Sequence, residues 1–262
     1  MTQTLLNFIH LSDTHLHINP AFNGDGNNPF TPLQGTNALI QNISTLPFPI
    51  DFVLHTGDVM NDPDVEEDYQ IAREVLSKIK YPIYYLPGNH DKPKGIRRVL
   101  NGTAHTYYDF EVNGIQIAAL DSKIPGSHAG LISDEQMDWL NDLCTAPDNR
   151  PLIVALHHHP IPLNISWLDE IVLQNGEKLH QTLLKARNRL RCVLYGHIHE
   201  QTTTIRDGIT YISTLSAWFQ TRTWSGQTGP SHDPVQLPGF NVVTLTDRET
   251  RVRAYRVPMI PG

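Results

Sequence analysis

The sequence predicts a layered α/β protein. Three observations carry that expectation. Short apolar runs alternate with helix-like stretches, as in sheets whose strands are joined through helices. No internal repeat or low-complexity linker interrupts the alternation. His and Asp residues gather directly after the apolar runs, where open α/β sheets form their ligand sites.

The expected strands are the apolar runs at 6–11, 51–55, 83–86, 115–120, 152–156 and 192–195. Each is short and rich in Val, Ile, Leu, Phe or Tyr, residues that suit a pleated buried surface. Helices are expected at 35–45, 65–78, 134–143 and 177–187. The third follows Ser133 and has Gln136 three residues on, the signature of a capping box. The final third changes character. Runs at 201–205, 209–213, 240–246 and 251–257 are joined by turns such as Asp207-Gly208, which predicts an antiparallel segment without helices. Two long irregular stretches remain, 17–32 and 216–239, the second with Trp218, Phe219 and Trp224. Loops of that length in a compact domain are commonly functional.

The chain is acidic and rich in histidine: 262 residues with formal charge −7 and 14 His. Hydrophobic residues at 39% and charged residues at 18% suit a globular protein and exclude a disordered one. The negative balance argues against a nucleic-acid backbone binder, which presents a basic face. No apolar run approaches the roughly 18 residues of a membrane span. The first fifteen residues lack the basic and apolar regions of a signal peptide, so a cytoplasmic location is expected. Cys144 and Cys192 stand in apolar surroundings at no motif spacing and read as buried reduced thiols.

The polar clusters are Asp13-Thr14-His15, Gly57-Asp58, Gly88-Asn89-His90-Asp91, His157-His158-His159-Pro160 and Gly196-His197-Ile198-His199. Asp-x-His and His-x-His place two donors at i and i+2, on one side of an extended backbone. Carboxylate with imidazole suits Mn, Fe or Zn rather than Ca, and no Cys stands near enough in sequence for a thiolate site. Asp13, His15, Asp58, Asn89, His157, His197 and His199 are too many for one ion and fit two that share a carboxylate. Two ions about 3.5–4 Å apart can clamp phosphoryl oxygens and generate hydroxide near neutral pH. A single cluster would be ordinary turn chemistry. Five in succession, each at a strand end, are not.

This order of motifs resembles the calcineurin-like metallophosphoesterase superfamily. Within it the chain is similar to the class III cyclic nucleotide phosphodiesterases. The segments FIHLSDTHL, VLHTGDVMND, YLPGNHD, AALDS, LHHHPIPLNISWLDE, QNGEKL and LYGHIHE carry the resemblance, over residues 7–213. It implies a four-layer αββα sandwich of two mixed β-sheets. Residues 1–262 are then one domain, with a core at about 5–215 and a β-rich segment at about 200–258. It implies one ion on Asp13, His15 and His199, another on Asn89, His157 and His197, and Asp58 between them. His90 would contact the phosphate and protonate the leaving oxygen, and Asp91 would orient His90. His159 stands where many relatives carry Pro, which leaves the roles of His158 and His159 open.

The expected activity is hydrolysis of a small phosphodiester, a 3′,5′-cyclic nucleotide such as cAMP, by attack of a metal-bound hydroxide. The alternatives on the same site are a glycerophosphodiester, a 2′,3′-cyclic phosphate or a phosphomonoester. A scaffold that keeps the fold and loses the metals is the contrasting class, and no residue of the ligand set is missing here. The expected cofactors are two Mn, Fe or Zn ions. The resemblance also implies a homodimer or higher homo-oligomer. The loop at 216–239 departs most from the relatives, and its Trp218 and Trp224 are expected to stack a base or form a subunit contact.

Overall fold

The computed structural model describes residues 4–259 apart from Asp25 and Asn27. In chain order the first elements are β1 (Thr4–Leu11), α1 (Pro32–Ser44), β2 (Phe52–His55), α2 (Tyr69–Leu76), β3 (Ile83–Tyr85) and the short turn α3 (Pro93–Gly95). There follow β4 (Tyr108–Val112), β5 (Ile115–Ala119), α4 (Asp134–Thr145), β6 (Leu152–Ala155), α5 (Ser166–Asp169) and α6 (Gly176–Leu184). The last are β7 (Leu190–Tyr195), β8 (Thr203–Arg206), β9 (Ile209–Ser213), β10 (Gly239–Thr246) and β11 (Thr250–Arg256). Every expected strand is present, its ends shifted by two residues at most.

The strands form two mixed sheets. The first has the order β11-β10-β1-β2-β3, and the second β4-β5-β6-β7-β9-β8. Strands β1, β2 and β3 run parallel, as do β5, β6, β7 and β9. Alternation along each strand assigns its side chains to layers. Leu6, Phe8, Phe52 and Leu54 of the first sheet meet Ile117, Ala119, Ile153, Ala155, Cys192 and Leu194 of the second in a dry layer between the sheets. Ile9, Leu11 and Val53 face the other way, onto α1 and α2 through Leu39, Ile43, Ala72 and Leu76. Val154, Leu156, Val193 and Tyr195 pack outward on α4 and α6. Two sheets inside and helices outside make the αββα sandwich that the resemblance implied.

Three local expectations are corrected. The final third is not one antiparallel sheet. The hairpin β8–β9 extends the second sheet and β10–β11 extends the first, because β10 pairs antiparallel with β1 while β9 pairs parallel with β7. Strand β4 was not anticipated. It joins β5 through Asn113-Gly114, both with positive φ (52° and 77°), the two-residue turn that an Asn-Gly pair favours. The helix expected at 65–78 runs over 66–76 and opens as a 3-10 turn (Glu66–Asp68) before α2, with the Asp68 carboxylate accepting from the Asp64 and Val65 N–H groups at its entry.

The capping box before α4 is half made. Ser133 Oγ accepts from Gln136 N (3.2 Å), but the Gln136 amide instead brackets the Asp121 backbone with two 2.7 Å bonds. Both cysteines are buried and unbridged. No helix among the described residues is long and apolar enough to cross a membrane.

Candidate metal centre

The parallel strands β1, β2, β3, β6 and β7 all end at one edge of the sandwich, and the polar clusters lie immediately beyond them. Asp13 and His15 follow β1, Asp58 follows β2, and Asn89 follows β3. His157 follows β6, and His197 and His199 follow β7. All seven are buried. Their polar ends converge. His199 Nε2 lies 3.4 Å from Asp13 Oδ1 and 3.1 Å from His15 Nε2. Asp58 Oδ2 lies 3.7 Å from His15 Nε2 and 3.2 Å from His157 Nε2. His157 Nε2 is 2.9 Å from Asn89 Oδ1 and 3.2 Å from His197 Nδ1. Asp58 therefore stands between two groups, Asp13–His15–His199 and His157–His197 with Asn89.

The convergence does not come from extended backbone, as the i, i+2 spacing suggested. Asp13, His15, Asp58, His197 and His199 all have left-handed φ, between 45° and 70°. Left-handed turns bend the chain directly after each strand and aim alternate side chains at one point. Such conformations cost energy and gather at functional sites. The motif glycines clear the space. A Cβ on Gly88 would stand 2.1 Å from Asp58 Oδ1, and one on Gly196 would stand 1.9 Å from Ser12 Oγ and 2.6 Å from Asp13 Oδ2.

Hydrogen bonds fix which face of each imidazole looks inward. His15 Nδ1 donates to Asn61 Oδ1 (3.1 Å) and His157 Nδ1 to the Thr56 carbonyl (2.8 Å). His197 Nε2 donates to the Ile171 carbonyl (3.1 Å) and His199 Nδ1 to the Phe219 carbonyl (3.0 Å). Each ring has one proton engaged outward, so its other nitrogen presents a lone pair to the centre. Asn89 is oriented likewise: its Nδ2 donates to His128 Nδ1 (3.1 Å), which turns Oδ1 inward. With the outward protons placed, the centre is lined by carboxylate oxygens, an amide oxygen and imidazole nitrogens. Neither Asp13 nor Asp58 pairs with a Lys or Arg among the described residues. Buried carboxylates facing lone pairs at hydrogen-bond distance require a positive partner. The donor set, imidazole with carboxylate and amide oxygen, fits Mn, Fe or Zn.

The electrostatics agree. Burial pushes Asp13 up, but His199 and His157 overcome it and bring its carboxyl to about 2. Asp58 is held well below its ordinary value by His157, again against burial. Burial takes the His15 imidazole down to about 3, so its lone pair is free at neutral pH. Burial lowers His157 too, but the Asp58 carboxylate outweighs it and raises the ring to about 9. That is the local demand for positive charge seen from a histidine.

His90 stands on the open side. Its backbone N–H donates to Asp58 Oδ1 (2.9 Å), and its ring lies 5.0 Å from that of His15. Its Nδ1 bonds Asp62, at 3.0 and 3.1 Å to the two carboxylate oxygens. Burial lowers the ring, and Asp58 and Asp62 together raise it above its usual value.

The expectation that Asp91 orients His90 is corrected. The Asp91 carboxylate accepts from Val59 N (3.1 Å), Met60 N (3.0 Å), Gly88 N (2.9 Å) and Tyr69 Oη (2.8 Å). It ties the loop after β2 to the loop after β3 and faces away from the imidazole, whose carboxylate partner is Asp62. Burial and the nearby Asp58 raise the Asp91 carboxyl to about 6.

His158 is a buried strut: Ser122 Oγ donates to its Nδ1 (2.7 Å) and its Nε2 donates to the His128 carbonyl (3.1 Å). His159 is buried with no hydrogen-bond partner on either nitrogen among the described residues, stacked 5.7 Å from His197, and burial lowers it to about 4. Trp218 is no open stacking surface. It is 5% exposed, packed 5.6 Å from His15, with Nε1 bonded to Asn23. Trp224 is 55% exposed.

Sequence reasoning missed Asn61, Asp62 and the carbonyls of Thr56, Ile171 and Phe219. The first two lie within VLHTGDVMND, four residues or fewer beyond Asp58, where polar turn residues gave a signal that was not taken up.

Residues 6–201 match the calcineurin-like phosphoesterase family. The 3′,5′-cyclic adenosine monophosphate phosphodiesterase CpdA of Pseudomonas aeruginosa is 33% identical over 171 residues, 65% of this chain and 62% of that protein. The chain thus spans about three fifths of that relative. A 3′,5′-cyclic-nucleotide phosphodiesterase of Nostoc is 28% identical over 223 residues, 84% of this chain and 82% of that one. Among solved structures, a dimetal phosphatase from Danio rerio superposes with a TM-score of 0.71 at 12% identity, over 98% of this chain and all of that one.

Proposed function

The chain belongs to the calcineurin-like phosphoesterase family, and we propose that within it this protein is a dinuclear metal-dependent phosphodiesterase acting on a 3′,5′-cyclic nucleotide such as cAMP. One observation carries the reading: Asp58 and six other buried His, Asp and Asn side chains converge, and among the described residues no Lys or Arg pairs with their carboxylates. Asp13, His15 and His199 would hold one ion, Asn89, His157 and His197 the other, and Asp58 both. When bound, such ions polarise phosphoryl oxygens and lower the pKa of water near them. They would also reverse the local charge, so an acidic chain can attract an anionic substrate.

The chain's own contribution is orientation and proton handling. Outward hydrogen bonds hold the four imidazoles in one tautomer each. His90 holds a proton at the open side, its Nδ1–H directed at Asp62. In the protonated ring, which Asp58 and Asp62 favour, Nε2–H would be free to stabilise a phosphoryl oxygen or pass its proton to the leaving alkoxide. The partial likeness to CpdA and to the Nostoc enzyme supports the substrate class.

The test is a panel of cAMP, 2′,3′-cyclic AMP, a glycerophosphodiester and an aryl phosphomonoester, run with Mn, Fe and Zn in turn. The highest kcat/KM is expected for cAMP. A higher value for any other member reassigns the substrate. Metal content well below one ion per chain, unrestored by added Mn, overturns the enzyme reading itself.

A further inference from the structure

The segment 216–221 lies far along the chain from most of the centre, yet among the described residues its hydrogen bonds and ring contacts reach one half of it only. Ser216 Oγ donates to the Asp13 carbonyl (2.9 Å), and Ala217 N donates to the same oxygen (3.2 Å). Trp218 packs 5.6 Å from His15. The Phe219 carbonyl takes the His199 Nδ1 proton, and the Phe219 ring lies 4.2 Å from that imidazole. Thr221 N donates to the His199 carbonyl (2.9 Å). Asp13, His15 and His199 form one donor group. Asn89, His157 and His197 take their outer contacts elsewhere, from His128, Thr56 and Ile171.

Gln220 holds this segment in shape. It is fully buried. Its Oε1 accepts from Ser216 N (3.1 Å), and its Nε2 donates to the Ser216 carbonyl (2.7 Å) and the Trp218 carbonyl (3.4 Å). Its backbone is gripped in turn by Gln236, whose Oε1 accepts from Gln220 N (3.0 Å) and whose Nε2 donates to Gln220 O (3.1 Å). The amide therefore closes a ring across residues 216–220. That ring sets the direction of the Ser216 hydroxyl and the Phe219 carbonyl together. Outer-sphere groups of this kind usually change metal affinity by roughly 10- to 100-fold when removed.

We propose that Gln220 is a positioning residue for a single ion, the one held by Asp13, His15 and His199, and that it acts through Ser216 and Phe219. The inference rests on the dinuclear reading above and adds to it an asymmetry: the 216–221 segment supports the ligands of one ion, so that ion's affinity can be altered more than the other's.

The experiment is a Co(II) titration of Gln220→Leu, Ser216→Ala, His128→Ala and the parent protein. It is followed by proton NMR of the hyperfine-shifted imidazole N–H lines, assigned with His15→Asn and His157→Asn. Two ions per parent chain are expected. In Gln220→Leu and Ser216→Ala the His15 and His199 lines should need about 10- to 100-fold more Co(II), with the His157 and His197 lines unmoved. His128→Ala should show the reverse. Ser216→Ala removes one hydroxyl and carries the test if Gln220→Leu does not fold. Equal weakening of both ions, or of neither, in a folded variant overturns the proposal. A parent protein that binds no Co(II) overturns the dinuclear reading instead.

Discussion

The two sheets bring different chemistry to the shared edge. The first sheet, through the loops after β1, β2 and β3, delivers both carboxylates, the amide oxygen of Asn89 and a single imidazole, His15. The second, through β6 and β7, delivers three imidazoles and no acid. Each sheet also supports the other's donors. His197 N of the second sheet donates to Asp13 Oδ2 (3.1 Å) of the first. The Thr56 carbonyl after β2 receives the His157 Nδ1 proton. A carboxylate needs donors around it, whereas an imidazole ligand needs an acceptor behind it. Backbone N–H and C=O groups near the strand ends meet much of both needs, and the Asn61 and His128 side chains complete them for His15 and Asn89. The centre is thus assembled across the inter-sheet layer, and neither sheet holds it alone.

Breaking the junction should have the largest effect. Asp58→Asn keeps the size and the left-handed backbone but removes the charge shared between the halves. Turnover should fall by on the order of 10³-fold, and metal analysis should show fewer than two ions per chain. Parent-like turnover in metal-replete Asp58→Asn would separate activity from the shared carboxylate.

Next is the proton held at His90. His90→Asn should lower kcat by roughly 10²- to 10⁴-fold while both ions stay bound. A general acid loses function as pH rises through its pKa, and here Asp58 and, after it, Asp62 hold that pKa above the ordinary value against burial. Asp62→Asn should therefore move the alkaline limb of the rate profile to lower pH. A limb that stays in place would show that another group carries the proton.

Removing the ions should expose the unpaired acceptors of both sheets. An ion present at 100 times its Kd adds ~2.7 kcal/mol. Two such ions add ~5.4 kcal/mol, so chelation should lower Tm by about 10–20 °C for a chain of this size, as read by calorimetry. An unchanged Tm would mean that the acceptors find protons or water instead.

The smallest effect separates the two tryptophans of the loop at 216–239. Trp218→Ala opens a cavity beside His15 and should cost ~3–5 kcal/mol. Trp224→Ala, more than half exposed, should stay within about 0.5 kcal/mol. Urea melts distinguish the two, and similar costs would contradict the packing of this loop.

The seven donor residues were legible because side-chain type betrays them. Polar residues directly after apolar runs are conspicuous, and His with Asp narrows the chemistry. The groups that aim them were largely illegible. Thr56, Ile171 and Phe219 act through carbonyl oxygens, which every residue carries and no sequence distinguishes. Asp91 illustrates the converse. Adjacency to His90 suggested a pair, but a turn sends neighbouring side chains apart, and the carboxylate satisfies three backbone N–H groups instead. In the fold, local alternation revealed each strand. It could not reveal that β9 and β10 belong to different sheets, since pairing partners lie far apart in the chain.

The left-handed turns at Asp13, His15, Asp58, His197 and His199 bear on how such a centre can change over generations. Besides Gly, the residues most at home in that conformation are Asn, Asp and His. Those three also serve as donors to borderline and hard cations. Exchange among them swaps one donor for another while the turn keeps its shape, whereas Val or Ile would distort the backbone and delete the donor in one step. Selection can therefore retune the ion preference of this edge one position at a time, on a scaffold that stays folded throughout.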